Sequence, residues 1–373
     1  MENILADRTK LIDASGIRKV FALAAKLKDP VNFSIGQPDF DVPEKIKDSA
    51  VEAIRGGFNA YSQTAGDQQL LDKIRAKSIA DYGFQEPSAL VTNGVSGALL
   101  LLFMSIINKG DEVIIADPYF VIYKHVINML GGKCVFVDSY PDFKLPAEGI
   151  EAAISQRTKL IILNSPANPT GAVYSEQQVK DIAEIARKKD ILIMSDEIYD
   201  TFCYEDSCPS AANYYDNTMI LKGFSKAYAM TGWRLGYVTG SKRIRHIVEQ
   251  MTKIQQYTFV CAPAPLQKAA ITAMDVDMSE YVAAYRKKRD MIYDGLSTKF
   301  QITRPGGAFY TFVKAPDWAK SATEFVQKAI ANNVLIIPGN VFSEKDTHFR
   351  ISYATTNAKI AEGIEILCKI AEG

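Results

Sequence analysis

The sequence has 373 residues, enough for two domains, with 47% hydrophobic and 23% charged residues, proportions that are ordinary for a globular protein. Lysine plus arginine equals aspartate plus glutamate at 43 each, so no overall field attracts nucleic acid or an anionic membrane. No apolar run of about 18 residues predicts a membrane span. The five scattered cysteines lack metal-ligand spacing, and the N-terminus lacks the apolar core of a signal peptide. We therefore expect reduced thiols, no metal site and a cytoplasmic location.

The N-terminal part is predicted to contain a helix, a short strand and two loops. Apolar residues recur at helical spacing over residues 9–28, and a proline ends the pattern. A strand from Val31 then leads into a glycine- and proline-containing turn at Gly36. Tyr61 lies in a polar loop before the next helix. By pattern alone, both loops would be ordinary surface segments.

Residues 89–102 have the pattern of a strand, a glycine turn and a helix. The free amides and positive dipole end of such a helix bind phosphate without a cationic side chain. Gly94, Val95 and Ser96 would supply two amides and a hydroxyl. Because this arrangement is common in α/β proteins, it is a phosphate site only if other groups converge on it.

Continuous apolar strands then alternate with helical patterns, which predicts an α/β fold with a mostly parallel sheet covered by helices on both faces. Ligands bind at the carboxyl ends of such strands. Candidate side chains follow three of the strands: the aromatic pair Tyr119 and Phe120, Asn168 in a rigid loop, and Asp196 with Tyr199. Each could also have only a structural role: the aromatic pair in the core, Asn168 in a turn, and Asp196 as a helix cap or surface group.

The stretch 222–237 places Lys226 between a short apolar run and a Thr-Gly turn, with Arg234 further along. A lone lysine is normally a surface residue. Here an apolar strand is expected to deliver the amine to the sheet edge, where crowding lowers its pKa and makes it a nucleophile toward carbonyls. Arg234 would return to the same place as a permanent planar cation suited to phosphate.

From about residue 275 the pattern changes to a long charged helix followed by short strands and helices, which predicts a second, smaller α+β domain. Within it, Arg350 lies in mid-strand among apolar neighbours, a costly place for an unpaired charge. Either an internal aspartate or glutamate or a bound carboxylate would satisfy it in bidentate fashion. The residues alone leave both alternatives open.

Several segments resemble the pyridoxal-phosphate-dependent aminotransferases of class I/II, the aspartate aminotransferase superfamily of fold type I. They are the lysine stretch 222–237, Asn-Pro-Thr-Gly at 168–171, the strand end 196–199 and Phe-Arg-Ile-Ser at 349–352. The resemblance implies pyridoxal 5'-phosphate as cofactor and an amino acid and a 2-oxo acid as substrates. It also implies three parts of the chain, namely a segment 1–35 packed with the small domain, a large cofactor-binding domain 36–274 and the small domain 275–373.

The resemblance also implies a role for each candidate residue. Lys226 would hold the cofactor in a Schiff base and transfer protons, Asp196 would contact the ring nitrogen, and Arg350 would bind the substrate α-carboxylate. The implied phosphate ligands are Gly94, Val95, Ser96, Ser225 and Arg234. Phe120 would stack on the ring, with Tyr119 as the alternative, and Tyr199 and Asn168 would contact the phenolic oxygen. Gly36 and Asn168 would contact the substrate carboxylate. Tyr61 would reach the phosphate of a neighbouring subunit, which implies a homodimer with shared active sites.

One position departs from the pattern of many relatives. They carry a phosphate-binding hydroxyl residue shortly before the lysine, whereas this chain has Gly223 there. The phosphate site is therefore expected to be one side-chain donor short, with Ser225 or water as the substitute.

Aminotransferase is the favoured function, and a β-lyase reaction on the same site is the alternative. A regulator fused to a DNA-binding segment is disfavoured by the absence of such an N-terminal extension and by the neutral charge. A nicotinamide enzyme is disfavoured because no G-x-G-x-x-G follows the first strand. Dicarboxylate-specific relatives carry an additional arginine or lysine, at positions that hold Tyr257 and Ser96 here. We therefore predict a preference for neutral or aromatic amino acids over aspartate.

Overall fold

The computed structural model describes residues 4–13, 16, 20 and 27–372. Most of the predicted helix over residues 9–28 lies outside these ranges. At its start, Asp7–Leu11 form a 3-10 turn rather than the first turns of an α-helix. Within the described part, none of the helices combines the length and the apolar character needed to cross a bilayer.

The strands and helices alternate over most of the described chain. The strands are β1 (Val31–Asn32), β2 (Ser88–Thr92), β3 (Glu112–Asp117), β4 (Lys133–Asp138), β5 (Thr158–Asn164), β6 (Leu192–Asp196), β7 (Thr218–Gly223), β8 (Gly236–Gly240), β9 (Tyr310–Lys314), β10 (Val334–Leu335), β11 (Ile337–Pro338) and β12 (His348–Ser352). The helices are α1 (Glu44–Arg55), α2 (Gln68–Tyr82), α3 (Gly94–Ile106), α4 (Val121–Met129), α5 (Ala147–Ala153), α6 (Glu176–Lys189), α7 (Phe224–Ala227), α8 (Arg245–Thr258), α9 (Ala264–Ala273), α10 (Ser279–Leu296), α11 (Ala322–Ala331) and α12 (Asn357–Ala371).

Seven strands form one large sheet in the order β2-β8-β7-β6-β5-β3-β4. Strands β3 to β7 pair in parallel, and β8 runs antiparallel to both β2 and β7. Helices cover both faces, and the alternation of β5 shows this directly. Leu160 and Ile162 pack into the core that contains α3 and α8, whereas Ile161 and Leu163 pack into the core that contains α5 and α6. The predicted α/β fold with a mostly parallel sheet is confirmed.

A second, smaller sheet follows in the chain. Strands β11, β12 and β9 form an antiparallel sheet in that order, and α10, α11 and α12 pack on it around a separate apolar core. Strand β1 pairs in parallel with β10, which connects the residues near position 31 to this C-terminal part. The predicted domain boundaries after residues 35 and 274 stay a prediction.

The expectation of five reduced thiols is wrong for two of them. Cys203 and Cys208 form a disulfide, and Cys134, Cys261 and Cys368 are free. The loop after β6 folds back so that the two cysteine Cα atoms lie 6.3 Å apart, within the range that a disulfide spans. The spacing of the cysteines along the chain does not indicate this loop conformation.

Candidate active site

A cavity of about 260 Å³ lies where the carboxyl ends of β5, β6 and β7 face the small sheet. Most of the predicted site residues line it: Gly36, Val95, Ser96, Phe120, Asn168, Asp196, Tyr199, Ser225, Lys226, Arg234 and Arg350. Gly94 and Tyr61 are the predicted residues that do not. The neighbour of Phe120, Tyr119, is turned away from the cavity, and its hydroxyl donates to Glu344 at 2.7 Å. Of the two candidate aromatics, Phe120 is therefore the one at the cavity.

Lys226 reaches the cavity from the short helix α7, which follows β7 directly. Its amine donates to the backbone carbonyl of Gly36, so the loop after β1 closes over it. Burial of the amine, together with the positive charges of Arg350 and Arg234, lowers the pKa of Lys226 from 10.5 to about 8. About a tenth of the amine is therefore neutral and nucleophilic at pH 7, far more than for an ordinary lysine.

Asp196 ends β6 and is 2% exposed. One carboxylate oxygen accepts the hydroxyl hydrogen of Tyr123 at 2.6 Å, and the other accepts the Ile198 amide at 3.3 Å. Burial raises the pKa of Asp196 from 3.8 to about 6, although both hydrogen bonds act in the opposite direction. No lysine or arginine pairs with this carboxylate within the described ranges. A cationic ligand group beside it would supply the missing positive charge.

The start of α3 and Arg234 form one region, which we call the phosphate region. Gly94 has φ +70°, and a Cβ there would lie 2.7 Å from a terminal nitrogen of Arg234, so the guanidinium rests against the helix N-terminus. Arg234 itself has a left-handed backbone with φ 56°, and it donates to the Thr231 carbonyl at 2.9 Å. Such strain in a non-glycine residue is typical of functional sites. Amides and a guanidinium together suit an anion.

Gly223, where the resemblance leads us to expect a hydroxyl residue, lies close to two side chains. A Cβ at Gly223 would lie 2.8 Å from the Ile198 side chain and 3.1 Å from that of Val95. A larger residue would require these neighbours to move. Ser225 and the exposed Ser96 both line the cavity, so the cavity has two other hydroxyls.

Arg350, Asn168 and Ser34 form the second region, the carboxylate region. Arg350 is 1% exposed, and its terminal nitrogens donate to the Asn168 side-chain oxygen at 3.1 Å and to the Ser34 carbonyl at 2.8 Å. Its Nε has no hydrogen-bond partner. No aspartate or glutamate pairs with this arginine in the described chain, so of the two alternatives left open by the sequence, the internal carboxylate is wrong. A buried guanidinium with an unpaired donor at a cavity suits a bound carboxylate.

Asn164, Tyr123 and Tyr310 are contacts that sequence reasoning missed. Asn164 donates to the Asp196 carbonyl at 3.0 Å and accepts the Asn168 amide at 2.9 Å, which joins two predicted site residues. The Tyr310 and Tyr199 hydroxyl oxygens lie 2.9 Å apart. In the sequence, both tyrosines resemble core aromatics, and only Asn164 carries a signal, as a polar residue ending an apolar strand.

Comparison with known proteins resolves the family. The family model described as "Aminotransferase class I and II" matches residues 28–367. The chain belongs to this family. These aminotransferases use pyridoxal phosphate, and the predicted transferase activity is confirmed at this level.

The relatives of this aminotransferase carry different substrate names. The chain is 37% identical to a Methanocaldococcus jannaschii protein named "Probable aspartate aminotransferase", covering 99% of this chain and 100% of that one. It is 32% identical to "Aromatic-amino-acid aminotransferase 2" of Thermococcus litoralis, covering 98% of each. A solved structure of the Thermus thermophilus aspartate aminotransferase with maleate has a TM-score of 0.93 at 31% identity, over 98% of this chain and 99% of that one.

The cavity of this aminotransferase fits its cofactor. The nucleophilic amine of Lys226 suits an aldehyde. The buried carboxylate of Asp196, which has no cationic partner in the described chain, suits a ring nitrogen. The N-terminus of α3, with Arg234 against it, suits a phosphate. Phe120 offers an aromatic face, and it meets Tyr123 edge-on with the ring planes at 89°. Arg350 lines the same cavity and has no carboxylate partner within the described residues, which suits a bound carboxylate.

Proposed function

We propose that this aminotransferase moves an amino group between an L-amino acid and a 2-oxo acid, with neutral or aromatic donors favoured over aspartate. The observation that carries the proposal is the convergence of Lys226, Asp196 and the buried Arg350 on one cavity. The amine can bind an aldehyde cofactor. The acid can keep the ring nitrogen of the cofactor protonated, and the guanidinium can orient an amino acid by its carboxylate.

Lys226 is the proposed attachment point and base. When bound, the cofactor would supply an aldehyde that reacts with amines and an electron-withdrawing ring. Lys226 would hold it in the resting enzyme and, once displaced by the substrate amine, would remove the proton from the substrate Cα. Its lowered pKa keeps the neutral form available at physiological pH. The Gly36 carbonyl that accepts its hydrogen bond orients the amine before substrate arrives.

Asp196 is proposed to hold the ring nitrogen in its protonated form. A nitrogen cation next to the buried carboxylate would lower the now raised pKa of Asp196 and keep it ionised. Asn168 and Tyr199 are proposed to donate to the phenolic oxygen. The Asn168 side-chain oxygen is occupied by Arg350, which leaves the amide nitrogen to donate. Val95, Ser96, Ser225, Arg234 and the Gly94 turn are proposed to hold the phosphate.

Arg350 is proposed to bind the α-carboxylate, with Gly36 and Asn168 beside it. The backbone of Gly36 lies close to Tyr310, since a Cβ there would be 2.5 Å from the tyrosine hydroxyl. A side chain at position 36 would therefore displace the loop that closes the carboxylate region.

The proposed substrate preference depends on the charges around the cavity. The cationic side chains lining it, within the described residues, are Lys226, Arg234 and Arg350, and each has a role already. Ser96 is neutral, and Tyr257 is 85% exposed and does not line the cavity of its own chain. A second substrate carboxylate would lose hydration without gaining a cationic partner from these positions.

A panel of amino donors with matched 2-oxo acceptors tests this preference. Aromatic or aliphatic donors should give a higher kcat/KM than aspartate, whereas an aspartate preference of about tenfold or more, over 1.4 kcal/mol, would contradict it. Ser96→Lys should raise kcat/KM for aspartate, and Ser96→Met is the uncharged control of similar length. Release of ammonia and a 2-oxo acid without an acceptor would instead indicate the lyase reaction.

We also propose a homodimer with shared active sites, the predicted domain boundaries and a cytoplasmic location. Tyr61 is 83% exposed, and the exposed apolar side chains Val51, Ile54 and Phe58 precede it in the chain, which supports contact with a second copy. The proposed cytoplasmic location rests on the sequence expectation, since the Cys203–Cys208 disulfide is not typical of a reducing compartment. Light scattering after size-exclusion chromatography should give twice the mass of the 41.2 kDa chain.

A further inference from the structure

Tyr310 begins β9 and connects three parts of the proposed site. It is 1% exposed and lines the cavity. Its hydroxyl oxygen lies 2.9 Å from that of Tyr199, and the Cζ atom of Arg350 lies 4.7 Å from the centre of its ring. The same hydroxyl lies against the backbone of Gly36. The proposed binding and proton-transfer steps do not involve this tyrosine directly.

Each of the two phenols has one hydrogen to donate. If Tyr199 donates to the phenolic oxygen of the cofactor, as proposed, its hydrogen is no longer available for Tyr310. The Tyr199 oxygen can then only accept, so the hydrogen between the two phenols must come from Tyr310. Two hydrogen bonds in series polarise each other and strengthen the terminal one.

The surroundings of Tyr310 favour this direction. Burial raises the pKa of Tyr310 above 10, but the Arg350 charge and the hydrogen bond with Tyr199 both lower it. For Tyr199, burial, the contact with Tyr310 and the Asp196 charge raise the pKa, and the Arg350 charge lowers it as it does for Tyr310. The two tyrosines therefore differ in their mutual hydrogen bond, which lowers the pKa of Tyr310 and raises that of Tyr199. Of the two, Tyr310 has the neighbours that make its proton the more acidic and hence the better donated.

We propose that Tyr310 is a positioning residue that donates its hydroxyl hydrogen to Tyr199 and thereby fixes Tyr199 as a donor toward the cofactor, while its ring supports Arg350. This inference rests on the proposed role of Tyr199. It implies that the hydroxyl of Tyr310 affects the cofactor's electronic state and turnover, whereas its ring affects the binding of the substrate carboxylate.

Tyr310→Phe separates the role of the hydroxyl from that of the ring, because it removes the hydroxyl and keeps the ring. The pH midpoint of the bound cofactor's visible absorbance change should rise by about half a pH unit, since a weaker Tyr199 bond leaves the phenolic oxygen more basic. We expect kcat to fall about fivefold and KM for the amino acid to stay within about twofold. Tyr353→Phe is the control, because the buried Tyr353 hydroxyl donates to the Ala308 carbonyl at 3.2 Å, outside the cavity. It should leave the midpoint unchanged.

A double mutant tests whether Tyr310 acts through Tyr199. Tyr199→Phe should shift the midpoint further than Tyr310→Phe, and the double variant should match Tyr199→Phe alone. If the double variant instead shifts by the sum of the two, Tyr310 acts independently and the inference is wrong. If Tyr199→Phe itself leaves the midpoint unchanged, the proposed role of Tyr199 fails, and the inference fails with it.

Fluorotyrosine incorporated at position 310 determines the direction of the bond with almost no change in volume. Fluorine makes the phenol a stronger donor and a weaker acceptor. The midpoint should therefore fall, opposite to the effect of Tyr310→Phe. A midpoint that stays constant or rises would overturn the proposal. A fall in both Tyr310→Phe and the fluorotyrosine variant would show that Tyr310 accepts from Tyr199, because a weaker acceptor at position 310 frees the Tyr199 hydrogen for the cofactor. An unchanged or raised midpoint with fluorotyrosine contradicts the proposal even if Tyr310→Phe does not fold.

Discussion

Arg350 and Arg234 both line the cavity, yet their surroundings differ. Arg350 is buried on β12, with two terminal nitrogens bonded within its own chain and one Nε left over. Arg234 is exposed, with a single bond to the Thr231 carbonyl beside it. Hydrogen bonds within one chain thus hold the guanidinium of the carboxylate region in place. The phosphate region is open in one chain, as expected if a neighbouring subunit completes it.

The largest effect should come from Lys226, which is proposed both to hold the cofactor and to transfer the proton. Lys226→Ala should lower transamination by about 10⁴-fold or more, since it removes the attachment point and the base together. The variant should also lose the absorbance of the covalently bound cofactor. Steady-state kinetics and a visible spectrum check this. A borohydride-reducible bond that persisted in Lys226→Ala would mean that another amine binds the cofactor.

Truncating each arginine tests the contrast between the regions. Arg350→Ala should cost about 2–5 kcal/mol in kcat/KM for every amino acid, because it removes a desolvated partner of the common α-carboxylate. Arg234→Ala should mainly weaken cofactor binding, and by less, since water already reaches this residue. Equal losses of activity in the two variants, or a loss in Arg350→Ala that depends on the substrate, would contradict the proposed difference between the two regions. Cofactor titration and kinetics on both variants provide the comparison.

The stability of the enzyme without cofactor should depend on pH through Lys226. Its pKa in the folded chain, about 8, lies below the ordinary 10.5, so the unfolded chain binds more protons between these values and stability rises with pH across that window. The charged amine therefore costs about 3 kcal/mol below pH 8 and nothing above pH 10.5. Lys226→Met should accordingly raise the free energy of unfolding at pH 7, with the gain fading toward pH 10.

Lys222 is a matched control in the same stretch. It is also buried, but its amine lies 2.7 Å from Asp200 and 3.6 Å from Glu197. Burial opposes the shift, yet these carboxylates raise the pKa of Lys222 well above 10.5. Lys222→Met should therefore destabilise the protein at pH 7. Urea unfolding of both variants at several pH values measures the difference, and the same sign for both would contradict the assigned charges.

The smallest expected effect concerns Tyr61, whose hydroxyl is proposed to complete the phosphate region of a partner. Loss of one hydrogen bond to an anion corresponds to about 2 kcal/mol. In heterodimers of a Tyr61→Phe chain with a Lys226→Ala chain, one site should carry both defects and the other neither. We expect the activity of one wild-type site. Activity equal to one Tyr61→Phe site would show that the tyrosine acts within its own chain.

The residues at strand ends were easier to predict from the sequence than those that support them. Lys226 and Asp196 were predictable because a charged residue at the end of an apolar strand, as Asp196 is, or shortly after one, as Lys226 is, lies at the sheet edge where ligands bind. Tyr123 and Tyr310 were not, because a buried tyrosine has the same pattern whether its hydroxyl contacts a catalytic group or only fills a core. The Cys203–Cys208 disulfide depends on how a loop folds back, which periodicity does not encode.

The central claim is that Lys226, and no other lysine, binds the cofactor. Borohydride reduction of the wild-type holoenzyme, followed by proteolysis and mass spectrometry, tests it directly. We predict the added mass of a reduced pyridoxyl phosphate on the peptide containing Lys226 and on no other. Modification at Lys222 or at any other lysine, with Lys226 unmodified, would contradict this claim.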